Sequence, residues 1–173
     1  MRWRNLASDG LQVNLKFKTL ASDGLIFYAT NDDRQNVTTS YLSLVDGQLI
    51  FTSQGEELRT SPSDVKFNDN EWHVVTATHD QSALSLDIDD TENYSTDSTP
   101  PPLHFLYGNL YIGGLPSNFD LDERKIVPFV GCIGDATLNS EIIINFANTT
   151  ERPHAFLGKC KGSDQTRMLR HFD

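Results

Sequence analysis

The 173-residue sequence predicts an all-β fold of antiparallel strands packed as a sandwich or barrel. Three observations lead there. Short apolar runs alternate with polar residues at period two, as in strands with one wet face. Turn residues cut these runs roughly every 8 to 15 positions. No stretch of eleven or more residues carries the i, i+3, i+4, i+7 apolar stripe of an amphipathic helix.

Leu11, Val13, Leu15 and Phe17 alternate with Gln12, Asn14, Lys16 and Lys18, which predicts a half-exposed strand. Ser22-Asp23-Gly24 turns the chain into Leu25 to Ala29, a run apolar enough to be buried on both faces. Residues 30–39 are polar and read as a loop. Tyr41 to Val45 and Gln48 to Phe51 flank Asp46-Gly47, a strong two-residue hairpin signal because Gly supplies the positive φ a type I′ turn needs. Residues 52–64, with Pro62, read as loop. Trp72 to Thr78 and Leu84 to Ile88 predict the next strand pair, with Trp72 in the core.

The stretch Asp89 to Pro102 reads as loop, since Pro100-Pro101-Pro102 cannot occupy a central strand. Asn109 to Ile112 is a strand stopped by Gly113-Gly114. Phe129 to Leu138 and Glu141 to Phe146 read as the last strand pair. Leu-Ala-Ser-Asp-Gly-Leu occurs at 6–11 and 20–25, and reads as two turn-into-strand corners rather than a repeat architecture. One domain over 1–162 is expected, followed by a tail or linker start over 163–173.

Composition narrows the function classes. Against 24 acidic residues stand 14 basic ones, for a formal charge of −10. The basic residues form scattered pairs (Lys16 and Lys18, Arg124 and Lys125, Lys159 and Lys161), so a nucleic-acid partner is not expected. No apolar run approaches the ~20 residues that span a bilayer, so membrane insertion is not expected either. The start Met1-Arg2-Trp3-Arg4 leads into no apolar signal segment, so a secreted protein would be represented here by a piece. Two cysteines, Cys132 and Cys160, permit one bridge. Three N-glycosylation sequons, at Asn36, Asn93 and Asn148, fall in polar, turn-like stretches and favour a secreted protein.

Five segments then resemble a family in order: Asp23-Gly24-Leu25-Ile26-Phe27-Tyr28-Ala29, Asp46-Gly47-Gln48-Leu49, Asn68-Asp69-Asn70-Glu71-Trp72-His73-Val74-Val75, Leu110-Tyr111-Ile112-Gly113-Gly114-Leu115-Pro116, and Phe129-Val130-Gly131-Cys132 through Asn139. Together with Phe156-Leu157-Gly158-Lys159-Cys160 they resemble laminin G-like (LNS) domains, most of all those of laminin α chains, over about residues 10 to 160. The resemblance implies an antiparallel jelly-roll β-sandwich and a Cys132–Cys160 disulfide. It implies an extracellular recognition module for cell adhesion, binding a receptor or matrix protein in a basement membrane or at a cell surface. A glycan-binding module, reading heparin or the dystroglycan glycan, and a passive spacer in a tandem array are the alternatives.

Many members of that family hold calcium at the sandwich rim, through an acidic residue before one strand and an Asp or Asn in a later loop. The matching positions here are Ser40 and a place near Phe105, so no metal ligand is carried over and no cofactor is expected. Asp32 and Asp33 are close enough to substitute, and read as solvated loop acids. The candidate partner-binding rim comprises Ser40, Tyr41, Arg59, Phe105 and Tyr107, drawn from loops 31–40, 54–60 and 97–107. No enzyme is expected. Asp87-Ile88-Asp89-Asp90-Thr91-Glu92 superficially resembles a glycosidase acid run, which needs two carboxyls about 5–5.5 Å apart, but reads as a wet strand end. No G-x-S-x-G occurs.

Overall fold

The computed structural model describes residues 2–8, 10–31, 37–61, 64–103, 105–115, 127–139 and 141–142. Within them twelve strands form two sheets. In chain order these are β1 (Arg2–Ser8), β2 (Leu11–Lys18), β3 (Gly24–Asn31), β4 (Thr39–Val45), β5 (Gln48–Ser53), β6 (Glu56–Arg59), β7 (His73–His79), β8 (Leu84–Ile88), β9 (Glu92–Ser95), β10 (Phe105–Ile112), β11 (Cys132–Leu138) and β12 (Glu141–Ile142). One sheet runs β1-β10-β3-β4-β5-β6 and the other β12-β11-β2-β7-β8-β9, all in antiparallel pairs. Two stacked antiparallel sheets with crossovers between them make the sandwich that the alternation predicts, in the jelly-roll form that the family resemblance implies. No helix among the described residues is long and apolar enough to cross a membrane.

Alternation decides which side chains meet. In the first sheet Ile112, Phe27, Leu42, Phe51 and Leu58 lie side by side in register. In the second, Leu138, Val13, Ala77 and Leu86 do the same. The two rows close on one another as a single core, joined by Phe17 and Phe129 edge to face at 6.1 Å. Each buried Leu or Phe contributes about 1.5–3 kcal/mol by leaving water, so the inner rows hold the sheets together.

Three strands lie where the sequence reads as loop or unassigned chain. β6 and β9 each carry one apolar residue, Leu58 and Tyr94, too few to register as alternation. Both follow turns with two positive φ angles, Gln54 (51°) and Gly55 (85°), and Asp89 (54°) and Asp90 (55°). These are the backbone signs of a type I′ hairpin without the Asn-Gly or Asp-Gly pair that announces one. β1 pairs with β10, which starts at Phe105 and so extends well ahead of Asn109. Both copies of the hexamer lead into strands, β2 and β3.

Trp72 corrects an expectation. The strand starts at His73, and parity from Val75 and Ala77 turns His73 inward. Trp72 therefore points outward and is 41% exposed, with the Lys16 ammonium 5.2 Å from its ring centre. His73 takes the inward place between the rings of Phe17 and Phe67.

Candidate functional site at one rim of the sandwich

Strand direction gathers several connections at one end. β3 finishes there at Asn31, β4 begins at Thr39, β5 ends at Ser53, β7 ends at His79 and β9 ends at Ser95. The rim therefore carries the two ends of the 31–39 connection, the Gln54-Gly55 turn, the Asp80–Ala83 turn and the start of the crossover that leaves β9. Short hydrogen bonds fix the described parts. The Thr38 amide donates to Asn31 Oδ1 at 2.9 Å, and the Gln54 amide to the Thr39 carbonyl at 3.0 Å. The Asp80 carboxylate accepts from the Ser82 amide at 2.7 Å, the Ser82 hydroxyl at 2.6 Å and the Ala83 amide at 3.0 Å. The Ser82 hydroxyl is the main reason the Asp80 carboxyl is held below its usual value, since these donors favour the anion.

Beneath the rim lies a buried polar chain. Ser40, Ser53 and His79 are almost wholly enclosed. The Ser40 and Ser53 hydroxyls are 2.5 Å apart, Ser53 Oγ is 2.6 Å from His79 Nδ1, and His79 Nε2 is 3.0 Å from the Pro101 carbonyl oxygen. The chain thus links β4, β5, β7 and the crossover. Burial depresses the imidazole pKa below its ordinary 6.5, against smaller opposing effects of the Pro101 carbonyl and Asp80.

The candidate residues separate in space. Ser40 is at this end of β4 but turned inward and engaged with Ser53, so a partner has no access to its hydroxyl. For the same reason it presents no oxygen to an ion at the rim, and the residues there do not fit the family's calcium site at that position. Tyr41 stands on the outer face of the first sheet, stacked on Tyr28 at 6.0 Å. Tyr28 in turn meets Tyr111 at 6.4 Å, and its hydroxyl is pushed up to about 12, chiefly by burial.

Arg59 is exposed near the opposite end of the sandwich, beside Glu57 at 3.6 Å and Gln48 at 3.4 Å. It does not belong with Ser40. Phe105 and Tyr107 open β10, opposite Ser8 and Arg4. Of the sequons, Asn93 is exposed on edge strand β9, not in a loop, and its side-chain amide donates to Asp87. Asn36, Asn148, Cys160, Asp32 and Asp33 lie outside the described residues, among which there is no free cysteine.

The two histidines of β7 face the same way and serve different ends. His73 Nδ1 is 2.7 Å from Asp89 and its Nε2 3.1 Å from Asp69, which ties the approach to β7 onto the β8–β9 turn. Asp89 is thereby consumed, accepting from the Val74 amide at 2.7 Å as well. The Asp87–Glu92 run is accordingly structural: Asp87 meets Asn93, Asp89 meets His73, and Glu92 accepts from the Tyr94 hydroxyl at 2.5 Å. Among the described residues no group of three or more His, Cys, Asp or Glu side chains could hold a metal ion.

The family model described as Laminin G domain matches residues 17–141. The chain belongs to the laminin G domain family. It is 41% identical over 164 residues to laminin subunit alpha of Drosophila melanogaster, covering 92% of this chain and 4% of that protein. It is 28% identical over 158 residues to human neurexin-2, covering 87% of this chain and 9% of neurexin-2. The chain thus spans a small part of the relatives it matches. Domains LG4-5 of the mouse laminin alpha1 chain superpose with a TM-score of 0.64 at 25% identity, covering 80% of this chain and 38% of theirs. The LG1-3 region of the laminin alpha2 chain gives 0.66 at 19% identity, over 94% of this chain and 32% of that region, a likeness of fold alone.

The laminin G domain identified here presents its rim on strands that the core holds rigid. His79, Ser53 and Pro101 escape a sequence reading because their meeting depends on which strand ends coincide. The one available signal is parity. His79 shares the inward side of β7 with Val75 and Ala77, so the alternation alone places an imidazole in the core.

Proposed function

We propose that this laminin G domain is an extracellular recognition module, not an enzyme. It binds a receptor or matrix protein through the rim where Asn31, residues 37–39 and the 54–55, 80–83 and 96–103 segments converge. The observation that carries this reading is that convergence of several connections at one end, with Val37 60% exposed. Loops positioned by a rigid scaffold are the usual place for recognition. Three sequons and the laminin and neurexin relatives support a secreted or cell-surface setting, with Asn93 available on β9 as an acceptor. A Cys132–Cys160 disulfide belongs to the same proposal.

A glycan is the second reading, favoured by the outward, part-exposed Trp72, an aromatic surface of the kind a sugar ring packs on; the Lys16 ammonium beside it is shared with Asp135. One set of variants separates the two. Val37→Asp and Gln81→Glu alter the rim, and Trp72→Ala the outer face of the second sheet. On the protein reading, cell adhesion to the immobilised domain falls at least about tenfold with the rim variants, the loss expected of a central contact, and Trp72→Ala leaves it unchanged. Elution of the parent from a heparin column only at raised salt, abolished by Trp72→Ala, would instead establish the glycan reading. Adhesion unaffected by either rim change would sink the proposal.

A further inference from the structure

His79 fastens the rim through hydrogen bonds that allow one arrangement of protons. The Pro101 carbonyl can only accept, so His79 Nε2 carries the hydrogen there. In a neutral ring Nδ1 then accepts, and the Ser53 hydroxyl is its donor. The Ser53 oxygen is left to accept from Ser40. Each of the three donors has an acceptor, and the chain runs in one direction.

Adding a proton at Nδ1 breaks it. Nδ1–H must donate to Ser53, only one of the Ser53 and Ser40 hydroxyls can then donate to the other, and the remaining hydroxyl hydrogen loses its acceptor inside the core. A charge and an unpaired buried donor arise together, and both are costly away from water. The described surroundings offer little to offset this. On the strands flanking His79 stand Leu11 of β2 and Leu84 of β8, both apolar. From the first sheet come Ser40 and Ser53, and from the crossover Pro101. Among the described residues the charged groups nearby are Asp80, next in the chain and exposed, and Glu56, opposite Ser53 on β6 and exposed.

We propose that His79 is an acid-sensitive latch, fastening the β9–β10 crossover and the starts of the rim connections while neutral and releasing them when protonated. Release is local. His79 ends its strand, and the inner rows of Phe, Leu and Val lie beyond it toward the other end. The lowered imidazole pKa agrees in direction. The latch does not depend on what the rim binds, and it is tested on the chain alone.

Amide hydrogen exchange, corrected for the intrinsic pH dependence, reads it at Ser53, Gln54 and Thr96, against Leu15 and Val75 in the core. The opened ring takes a proton with the ordinary histidine value while the closed ring resists. Opening should therefore become up to about tenfold more frequent between pH 7.5 and 5.5, with the core amides unchanged. In His79→Gln, which keeps an amide donor and acceptor without titrating, this response disappears. A rim as protected at pH 5.5 as at 7.5, or an undiminished response in His79→Gln, overturns the proposal, the latter by pointing to Asp80 or Glu56. Should His79→Gln not fold, ring ¹⁵N shifts of the unaltered protein decide. A hydrogen on Nε2 and titration below the ordinary value support the latch; a hydrogen on Nδ1 alone at neutral pH, or titration at the ordinary value, refutes it.

Discussion

Gly47 and Gly55 take corresponding places in two hairpins, each at the second turn position with positive φ, 74° and 85°. Their surroundings differ. A Cβ on Gly47 would come 2.4 Å from Asn68 Oδ1, while one on Gly55 would meet nothing within 4 Å. Gly47 is also fixed on both sides, its amide donating to Ser22 at 2.7 Å and its carbonyl accepting from Phe67 at 2.8 Å. Gly55→Ala should thus cost only the backbone term, about 1 kcal/mol. Gly47→Ala adds a collision and should cost about 2–4 kcal/mol in all. Denaturant unfolding of the two variants measures the difference, and equal losses would show that the Asn68 side chain yields freely. The same residue-level packing explains Asp23. Its carboxyl is held below the usual value mainly by the Ser22 hydroxyl, then by the Asp46 amide, so it buttresses this hairpin while ionised.

Elements were legible in the sequence where alternation is dense. β2 has four apolar residues at period two, and its inner side chains are all buried as expected. β6 and β9 have one each, and chain length alone gave no reason to pair them with β5 and β8. Pairing distant residues is also what hid the rim: Ser40 looked like an exposed position because nothing local shows that Ser53 and His79 close over it. Trp72 misled through size, since parity within β7 outweighs the tendency of a large aromatic to be buried. The β8–β9 turn offers a direct test of backbone reading. Asp90 is exposed at φ 55° and makes no hydrogen bond or ion pair among the described residues, whereas Asp89 serves His73 and Val74. Asp90→Gly should relieve the left-handed strain and raise stability by about 0.5 kcal/mol, net of the greater freedom of the unfolded chain. Asp89→Gly should lower it, because two hydrogen bonds are lost. If both glycines had the same effect, the division of labour within the turn would be wrong.

At the scale of the whole molecule, the proposed Cys132–Cys160 bridge acts differently from the core. Cys132 opens β11, opposite Lys18 of β2, and β11 is already paired with β2 from Cys132 to Gly134 and again at Thr137 and Leu138, on either side of an irregularity. The native sheet therefore does not need the bridge to align that strand. What the bridge changes is the unfolded chain, by closing a loop of 29 residues. Loop-closure entropy for that length is about 3–4 kcal/mol. Reduction, or Cys132→Ala, should accordingly lower the unfolding midpoint by a comparable free energy while the strand content seen in the far ultraviolet is kept at low denaturant. The denaturant slope should rise modestly, because a chain free of the cross-link exposes more surface when it unfolds. Loss of strand signal in native buffer would place the bridge among the native interactions instead. An unchanged midpoint would mean that Cys132 and Cys160 are not joined.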